Sequence, residues 1–321
     1  MSVLVTGAAG FIGSHVCHAL LARGETVTGV DCINDYYDVK LKEARLARLT
    51  ERKGFRFLKL DFSDRDAMMT LADEDISHIV HLGAQPGVRY SLTNPYAYIT
   101  ANVMGHVVVL ELARRLRMLK NVVYASSSSV YGGNTKLPFT VGDPVETPVS
   151  LYAATKRSDE LISHTYAHLY GIPQIGLRFF TVYGPWGRPD MAPFLFTRAM
   201  LAGEEIRVFN NGEMWRDFTY IDDIVAGVVA AMDTPPALKP PHKVYNIGNN
   251  NSEKLTDFIA ALESALGIKA KMRFEPMQPG DVVSTYADIE DTKRELGFAP
   301  TTPIAVGVPK FVGWYRDFYK V

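Results

Sequence analysis

The sequence predicts an α/β protein: a doubly wound parallel sheet with a smaller mixed α/β domain. Three observations predict it. Short apolar runs alternate with longer helical patterns through the first half of the chain, the signature of successive βαβ units. A glycine-rich turn, Gly7-Ala8-Ala9-Gly10-Phe11-Ile12-Gly13, joins the first apolar run to the first helical pattern. After Phe180 the texture changes to a stretch rich in proline, glycine and aromatic residues, which reads as a loop with function or strain.

Taken in order, strands are expected at 3–6, 26–30, 55–60, 78–82, 122–125 and 174–180. Helices are expected at 11–23, 38–52, 64–73, 95–117 and 149–170. Residues 208–217 have short strand character, and 222–232 reads as a helix with an aspartate start. Pro235-Pro236 and Pro240-Pro241 bracket a surface loop, and 244–247 reads as one more strand, returning to the first sheet. The remainder is mixed α/β, with a hinge-like Pro279-Gly280-Asp281. Phe311, Tyr315, Phe318 and Tyr319 recur at helical spacing and read as packing.

Composition narrows the function. The chain has 321 residues, is 47% hydrophobic and carries a net charge of −1. That balance argues against nucleic acid or an acidic membrane as the main partner, so an anionic ligand must be held by a few placed groups. Cys17 and Cys32 have no metal spacing and read as reduced thiols in a cytoplasmic protein. Met1 leads directly into a strand-like run, so neither a targeting segment nor an apolar stretch long enough to cross a bilayer is expected. His164 and His168 stand four apart on a helix, but no accompanying motif calls for a metal, and none is expected.

The glycine turn follows a strand and opens a helix, the context a dinucleotide site requires. Gly7 permits the tight turn, Gly10 lets backbone approach a pyrophosphate, and Gly13 allows close packing. The backbone of Ala9, Phe11 and Ile12 offers the helix N-terminus to the phosphates. Asp31 ends the second strand, where a carboxylate accepts hydrogen bonds from the adenosine ribose and repels a 2′-phosphate. Nothing basic follows it directly in Asp31-Cys32-Ile33-Asn34, so NAD is the expected cofactor. The alternative for Asp31 is a turn-forming aspartate.

Tyr152 and Lys156 are four apart on one predicted helix and share a face. An ammonium beside a phenol stabilises the phenolate, so the tyrosine can act as a base. Ser126-Ser127-Ser128-Ser129 follows the fifth apolar run. A plain polar loop is a credible reading of Ser126 and a weaker one of Ser127.

Glycine turn, serine cluster and Tyr-x-x-x-Lys, in that order, resemble the extended short-chain dehydrogenases/reductases. Within them the chain is similar to the UDP-sugar epimerases, most of all the UDP-glucuronate 4-epimerases, whose signature Gly184-Pro185-Trp186-Gly187-Arg188-Pro189-Asp190-Met191 resembles. The resemblance implies a Rossmann domain at 1–180, with returning segments near 218–248, and an interleaved UDP-sugar domain at 181–321. It implies that Tyr152 is the base, Lys156 its partner and Ser127 the hydroxyl on the reacting sugar oxygen. It places Asp61 and Phe62 at the adenine, and Leu82, Ala84, Gln85, Asn34 and Ser126 along the cofactor. Asn102 is either a cofactor contact or a surface helix asparagine.

On the substrate side the resemblance implies Arg89, Ser128 and Ser129 near the sugar. Arg188 holds the sugar carboxylate or the diphosphate, or else forms an ordinary surface ion pair. Phe209 and Asn210 lie by the uracil and Arg216 on the diphosphate. Thr181 and Gln278 replace an asparagine and an arginine of galactose-type epimerases. Asp281 holds the uridine ribose or caps a turn. The acidic residues of 4,6-dehydratases and the glutamate of decarboxylases are missing from Ser127-Ser128-Ser129. The expected reaction is UDP-glucuronate to UDP-galacturonate through a 4-keto intermediate, in a homodimer paired through the helices near 95–117 and 149–170. The alternatives are a neutral UDP-hexose 4-epimerase and a non-catalytic NAD-binding sensor.

Overall fold

The computed structural model describes residues 1–278 and 280–321; the Pro279 part of the expected hinge lies outside them. Seven parallel strands form the main sheet. In spatial order they are Phe55–Lys59, Thr26–Asp31, Ser2–Thr6, His78–His81, Asn121–Ser127, Gln174–Phe179 and His242–Ile247. The first six follow the dinucleotide-binding order of a Rossmann sheet, in which ligands lie beyond the carboxyl ends of the strands, where the order reverses.

Alternation along the first strand assigns the two faces. Val3 and Val5 join one core with Val16, Leu20, Ile224 and Val228 from helices Phe11–Ala22 and Ile221–Asp233. Leu4 joins the opposite core with Ile79, Val108 and Leu112. Both faces are covered, so the strands can be apolar on both sides. A separate core gathers Phe194, Val208, Phe218, Phe258, Leu262, Phe311 and Tyr315. It is supported by helices Ala192–Leu201, Leu255–Leu266 and Ile304–Tyr319 and by three two-stranded sheets.

Four expectations change. The stretch 208–217 is not one strand: Glu205–Phe209 is separated from Trp215–Arg216 by a turn. Asn210, Asn211 and Gly212 have φ of 50°, 51° and 82°, and three left-handed residues cannot continue an extended run. The helix expected at 222–232 begins at Ile221 without a side-chain cap. Asp223 instead accepts from the Thr301 and Thr302 amides, at 3.0 and 3.1 Å. The helix at 64–73 is only Arg65–Met69, started by Asp64. Pro95–Ala113, which includes a wide π turn at Ile99–Met104, is long and apolar enough by length and composition to cross a membrane. Half of its apolar window is buried inside this fold.

Candidate active site

The glycine turn is fixed by sterics. Gly7 has φ +72°, and its amide donates to Val30 O at 2.8 Å. A Cβ on Gly13 would stand 2.0 Å from Gly7 O, so no other residue fits without moving the turn. Helix Phe11–Ala22 starts at Gly10 with no capping side chain and no acidic residue in its first turn. Its N-terminal amides are therefore available to an anion. Asp31 accepts from Ala9 N at 3.1 Å and Ile33 N at 2.8 Å. Burial raises its carboxyl above the usual range, against the Ile33 amide and the nearby Lys42. A turn of bare glycines, free amides and a ribose-height carboxylate is a donor and acceptor set that fits a dinucleotide.

Several residues assigned to the cofactor by resemblance have structural partners. Asn102 is buried, 1% exposed. It accepts from Gln85 N at 2.8 Å and donates to Gln85 O at 3.1 Å and Thr155 Oγ1 at 3.0 Å. It is thus not a surface asparagine; it clamps the loop after the fourth strand, Leu82 to Gln85, to the helix that carries Tyr152. Ser126 donates to Glu160 Oε1 at 2.6 Å, within a buried network completed by Arg178. Asp61 accepts from Ser63 N and Oγ, at 2.9 and 2.7 Å. Phe62 is wedged where a Cβ on Gly83 or Gly105 would come within 2.5 or 2.4 Å of its ring. Asn34 accepts from Lys42 Nζ at 2.6 Å through its carbonyl oxygen, which brings a cation to the Asp31 loop from the next helix.

The Tyr-Lys pair sits on helix Leu151–Tyr170, started by Ser150, whose hydroxyl accepts from Ala153 N at 3.1 Å. Tyr152 is in the first turn, where the helix dipole favours negative charge. Its ring packs edge-on against Tyr98 at 6.1 Å. Lys156 is buried and donates to Asp159 Oδ2 at 3.0 Å. Ser127 ends its strand, and its hydroxyl accepts from Ser129 N at 3.2 Å and donates to Ser129 Oγ at 3.1 Å. Ser127 and Ser129 are therefore one hydroxyl cluster, with Ser128 between them half-buried.

A second group assembles where Arg89 meets residues of the C-terminal half. Arg89 pairs with Asp281 at 3.2 Å, and its guanidinium lies 5.2 Å from the Phe209 ring centre. Burial lowers the Arg216 guanidinium; Asp281 opposes that shift and Arg89 adds to it, so the three charges lie close together. Gln278 has its Oε1 buried with no hydrogen-bond partner among the described residues. Asn210 is turned back on Glu213 O, at 2.6 Å. The Thr181 amide donates to Asp217 O at 3.1 Å. Arg188 is engaged by Asp190 through Nε at 3.0 Å and Nη2 at 2.5 Å.

Sequence reasoning missed the ties between the two halves. Arg45, fully buried, donates to Ala9 O at 3.2 Å, to Tyr37 Oη at 2.7 Å, to Trp186 O at 2.6 Å and to Gly187 O at 3.1 Å. It thereby joins the glycine turn to the Gly184–Met191 loop. Tyr36 donates to Asp190 Oδ2 at 3.0 Å, extending the Arg188 pair to the Asp31 loop. One signal existed: Leu41, Arg45 and Leu49 stand four apart, so the arginine lies in its helix's apolar stripe.

A family model described as the NAD dependent epimerase/dehydratase family matches residues 3–248. Protein CapI of Staphylococcus aureus is 48% identical, with 100% of both chains covered. UDP-glucuronate 4-epimerase 4 of Arabidopsis thaliana is 47% identical over 100% of this chain and 76% of that protein. Among solved structures, UDP-glucuronic acid 4-epimerase from Bacillus cereus, in complex with UDP-glucuronic acid and NAD, is 36% identical. Its TM-score is 0.93 over 99% of this chain and 100% of that one.

Proposed function

Because this chain belongs to the NAD-dependent epimerase/dehydratase family, we propose that it is a UDP-sugar 4-epimerase whose sugar is a uronate. It interconverts UDP-glucuronate and UDP-galacturonate. NAD, when bound, supplies reversible hydride acceptance at carbon 4, so the overall reaction has no net redox change. Tyr152 takes the proton of the 4-hydroxyl, Lys156 stabilises the phenolate by charge, and Ser127 orients the same oxygen. Gly7, Gly10, Gly13 and Asp31 hold the dinucleotide. Arg216, Asp281, Phe209 and Gln278 hold the UDP end, and Arg89, paired with Asp281, lies between it and the sugar.

The uronate reading is carried by Ser127-Ser128-Ser129 at the end of the fifth strand. The 4-keto uronate is a β-keto acid, which loses carbon dioxide when its carboxylate bond stands perpendicular to the carbonyl plane. An epimerase must hold that carboxylate out of alignment. Ser128, Ser129 and Thr181 supply neutral hydroxyls for this. Arg188 still has N–H groups that Asp190 does not use, since the pair occupies only Nε and Nη2. The identity to the Arabidopsis thaliana epimerase supports the same reading.

The test is the product ratio by mass spectrometry. Wild type is expected to give UDP-galacturonate and little UDP-pentose. Alanine at Ser128, Ser129 or Arg188 slows epimerisation and raises the decarboxylated share. A wild type that makes mostly UDP-xylose or the 4-keto pentose ends the epimerase reading. One that turns over only UDP-glucose and UDP-galactose makes it a neutral-sugar enzyme.

We further propose a cytoplasmic homodimer with interleaved domains. Helices Pro95–Ala113 and Leu151–Tyr170 leave Tyr96 82%, Met104 54%, Leu161 53% and Leu169 60% exposed, an apolar surface suited to a second copy. Sedimentation that finds only monomer at micromolar concentration overturns it.

A further inference from the structure

One turn beyond Lys156, the same helix carries Asp159. The two side chains are 4% and 1% exposed and meet at 3.0 Å. Among the described residues, this is the carboxylate in direct contact with the Lys156 ammonium. The other carboxylate oxygen, Oδ1, is buried without a hydrogen-bond partner. So Asp159 is not a member of a satisfied structural network, unlike its neighbour Glu160, which Arg178, Arg157 and Ser126 hold on both oxygens.

The other ionisable groups around the pair do not share this work. His81, at the end of the fourth strand, is pushed by burial down to about 3. His106, from helix Gly105–Ala113, is pushed by burial well below its usual value. Both imidazoles are therefore uncharged around neutral pH. The Tyr124 phenol on the fifth strand is pushed well above its usual value by burial and stays protonated. Asp159 alone of this group is brought near neutrality: burial drives it up to about 6, with Lys156 pulling the other way.

We propose that Asp159 is a positioning residue of the epimerase reaction: it pins the Lys156 ammonium one helical turn from Tyr152 and screens part of its charge from the phenol. The inference rests on Tyr152 being the base. Asp159 acts through Lys156 and does not touch the reacting atoms. A carboxylate in contact with an ammonium weakens the field of that ammonium at a third group. Two cations then bear on the Tyr152 phenolate: Lys156, held by Asp159, and Arg188, which also lies close enough to interact with it. Asp159 acts on the first of them.

Asp159→Asn removes the charge and keeps an oxygen that accepts from Lys156. With the ammonium unscreened, the phenolate forms at lower pH and is a weaker base once formed. The acidic limb of the kcat/KM profile therefore moves to lower pH by about half a unit, and the plateau above it falls. A purely structural role lowers the whole profile by one factor and moves no limb.

The experiment compares wild type, Asp159→Asn and Asp159→Ser, all isolated with NAD and checked by circular dichroism. Each is measured by the pH profile of UDP-glucuronate turnover and, without substrate, by ultraviolet difference titration of tyrosinate against its own Tyr152→Phe counterpart. The titration keeps the test alive if one variant is inactive, and the serine variant does so if the asparagine one fails to fold. Limb and tyrosinate titration both moving down supports the inference. Superposable limbs and titrations overturn it. Tyr152→Phe in otherwise wild-type protein separates the two claims: if it retains turnover, the base assignment itself is wrong. If it is inactive and Asp159→Asn moves nothing, only the role of Asp159 fails.

Discussion

The glycine turn and the Gly184–Met191 loop are tied together by Arg45 but are held by opposite means. The first is held from within: a positive φ at Gly7, a close approach at Gly13 and a strand-end carboxylate at Asp31. The second is held from outside, by Arg45 and Tyr36 reaching from the cofactor side. A site half built from backbone geometry depends on single small residues. A site half built from long-range polar ties depends on their partners. The difference predicts where substitutions act on chemistry, on cofactor retention or on stability.

The largest effect is expected at Tyr152, the proposed base. Tyr152→Phe is expected to lower turnover at least about a hundredfold, the scale of a positioned acid–base group. UDP-sugar affinity by calorimetry should change little, and near-normal turnover in this variant removes Tyr152 from the chemistry. Arg45→Met tests the external ties. It leaves the Ala9, Trp186 and Gly187 carbonyls without their buried donor, at a cost of about 3 kcal/mol. Denaturant unfolding reads this, and a cost under 1 kcal/mol, on the ~1 kcal/mol scale of one ordinary hydrogen bond, means the two halves do not rely on Arg45.

Gly13→Ala tests the internal geometry. The added methyl collides with Gly7 O, and overpacking of this kind costs about 1–3 kcal/mol. The expected signature is loss of retained nucleotide. Wild type is expected to release NAD on denaturation, to be measured by mass spectrometry, and the variant much less. Full retention by the variant contradicts the account of the turn, and release of mainly NADP by wild type contradicts that of Asp31.

Asp217 gives the smallest and most conditional effect. Burial pushes its carboxyl up to about 6, although Asn249 N, Ala287 N and Thr219 Oγ1 all donate to it. The folded value lies above the unfolded one, so between roughly pH 4 and pH 6 the folded state binds the extra proton. Its contribution is full below that window and declines as pH rises through it. The stability gap between wild type and Asp217→Asn should therefore shrink as pH rises from 4 to 6. A gap that widens over that range reverses the sign and excludes the raised value.

Much of the first half was legible in the sequence because its information is local. Strands such as His78–His81 and Gln174–Phe179 are buried along their length, and each is marked in the sequence by a short apolar centre, Ile79-Val80 and Ile175 to Leu177. Tyr152 and Lys156 were legible for the same reason, being one turn apart. The rest depends on partners far away in the chain. Nothing near Asn102 announces Thr155, nothing near Ser126 announces Glu160, and nothing near Arg89 announces Asp281. The short strand character of 208–217 holds at its two ends, and the break between them was not legible because it depends on two asparagines and a glycine adopting left-handed backbone. Asp159 was passed over because its meaning appears only when Lys156 is seen to be buried beside it.

The central claim is that this site performs internally balanced 4-epimerisation of a UDP-uronate. The most direct measurement is proton NMR of purified protein incubated with UDP-glucuronate and no added cofactor. The account predicts UDP-galacturonate growing to an equilibrium mixture, with no pentose. UDP-glucuronate left unchanged, while UDP-glucose is converted to UDP-galactose under the same conditions, would contradict it.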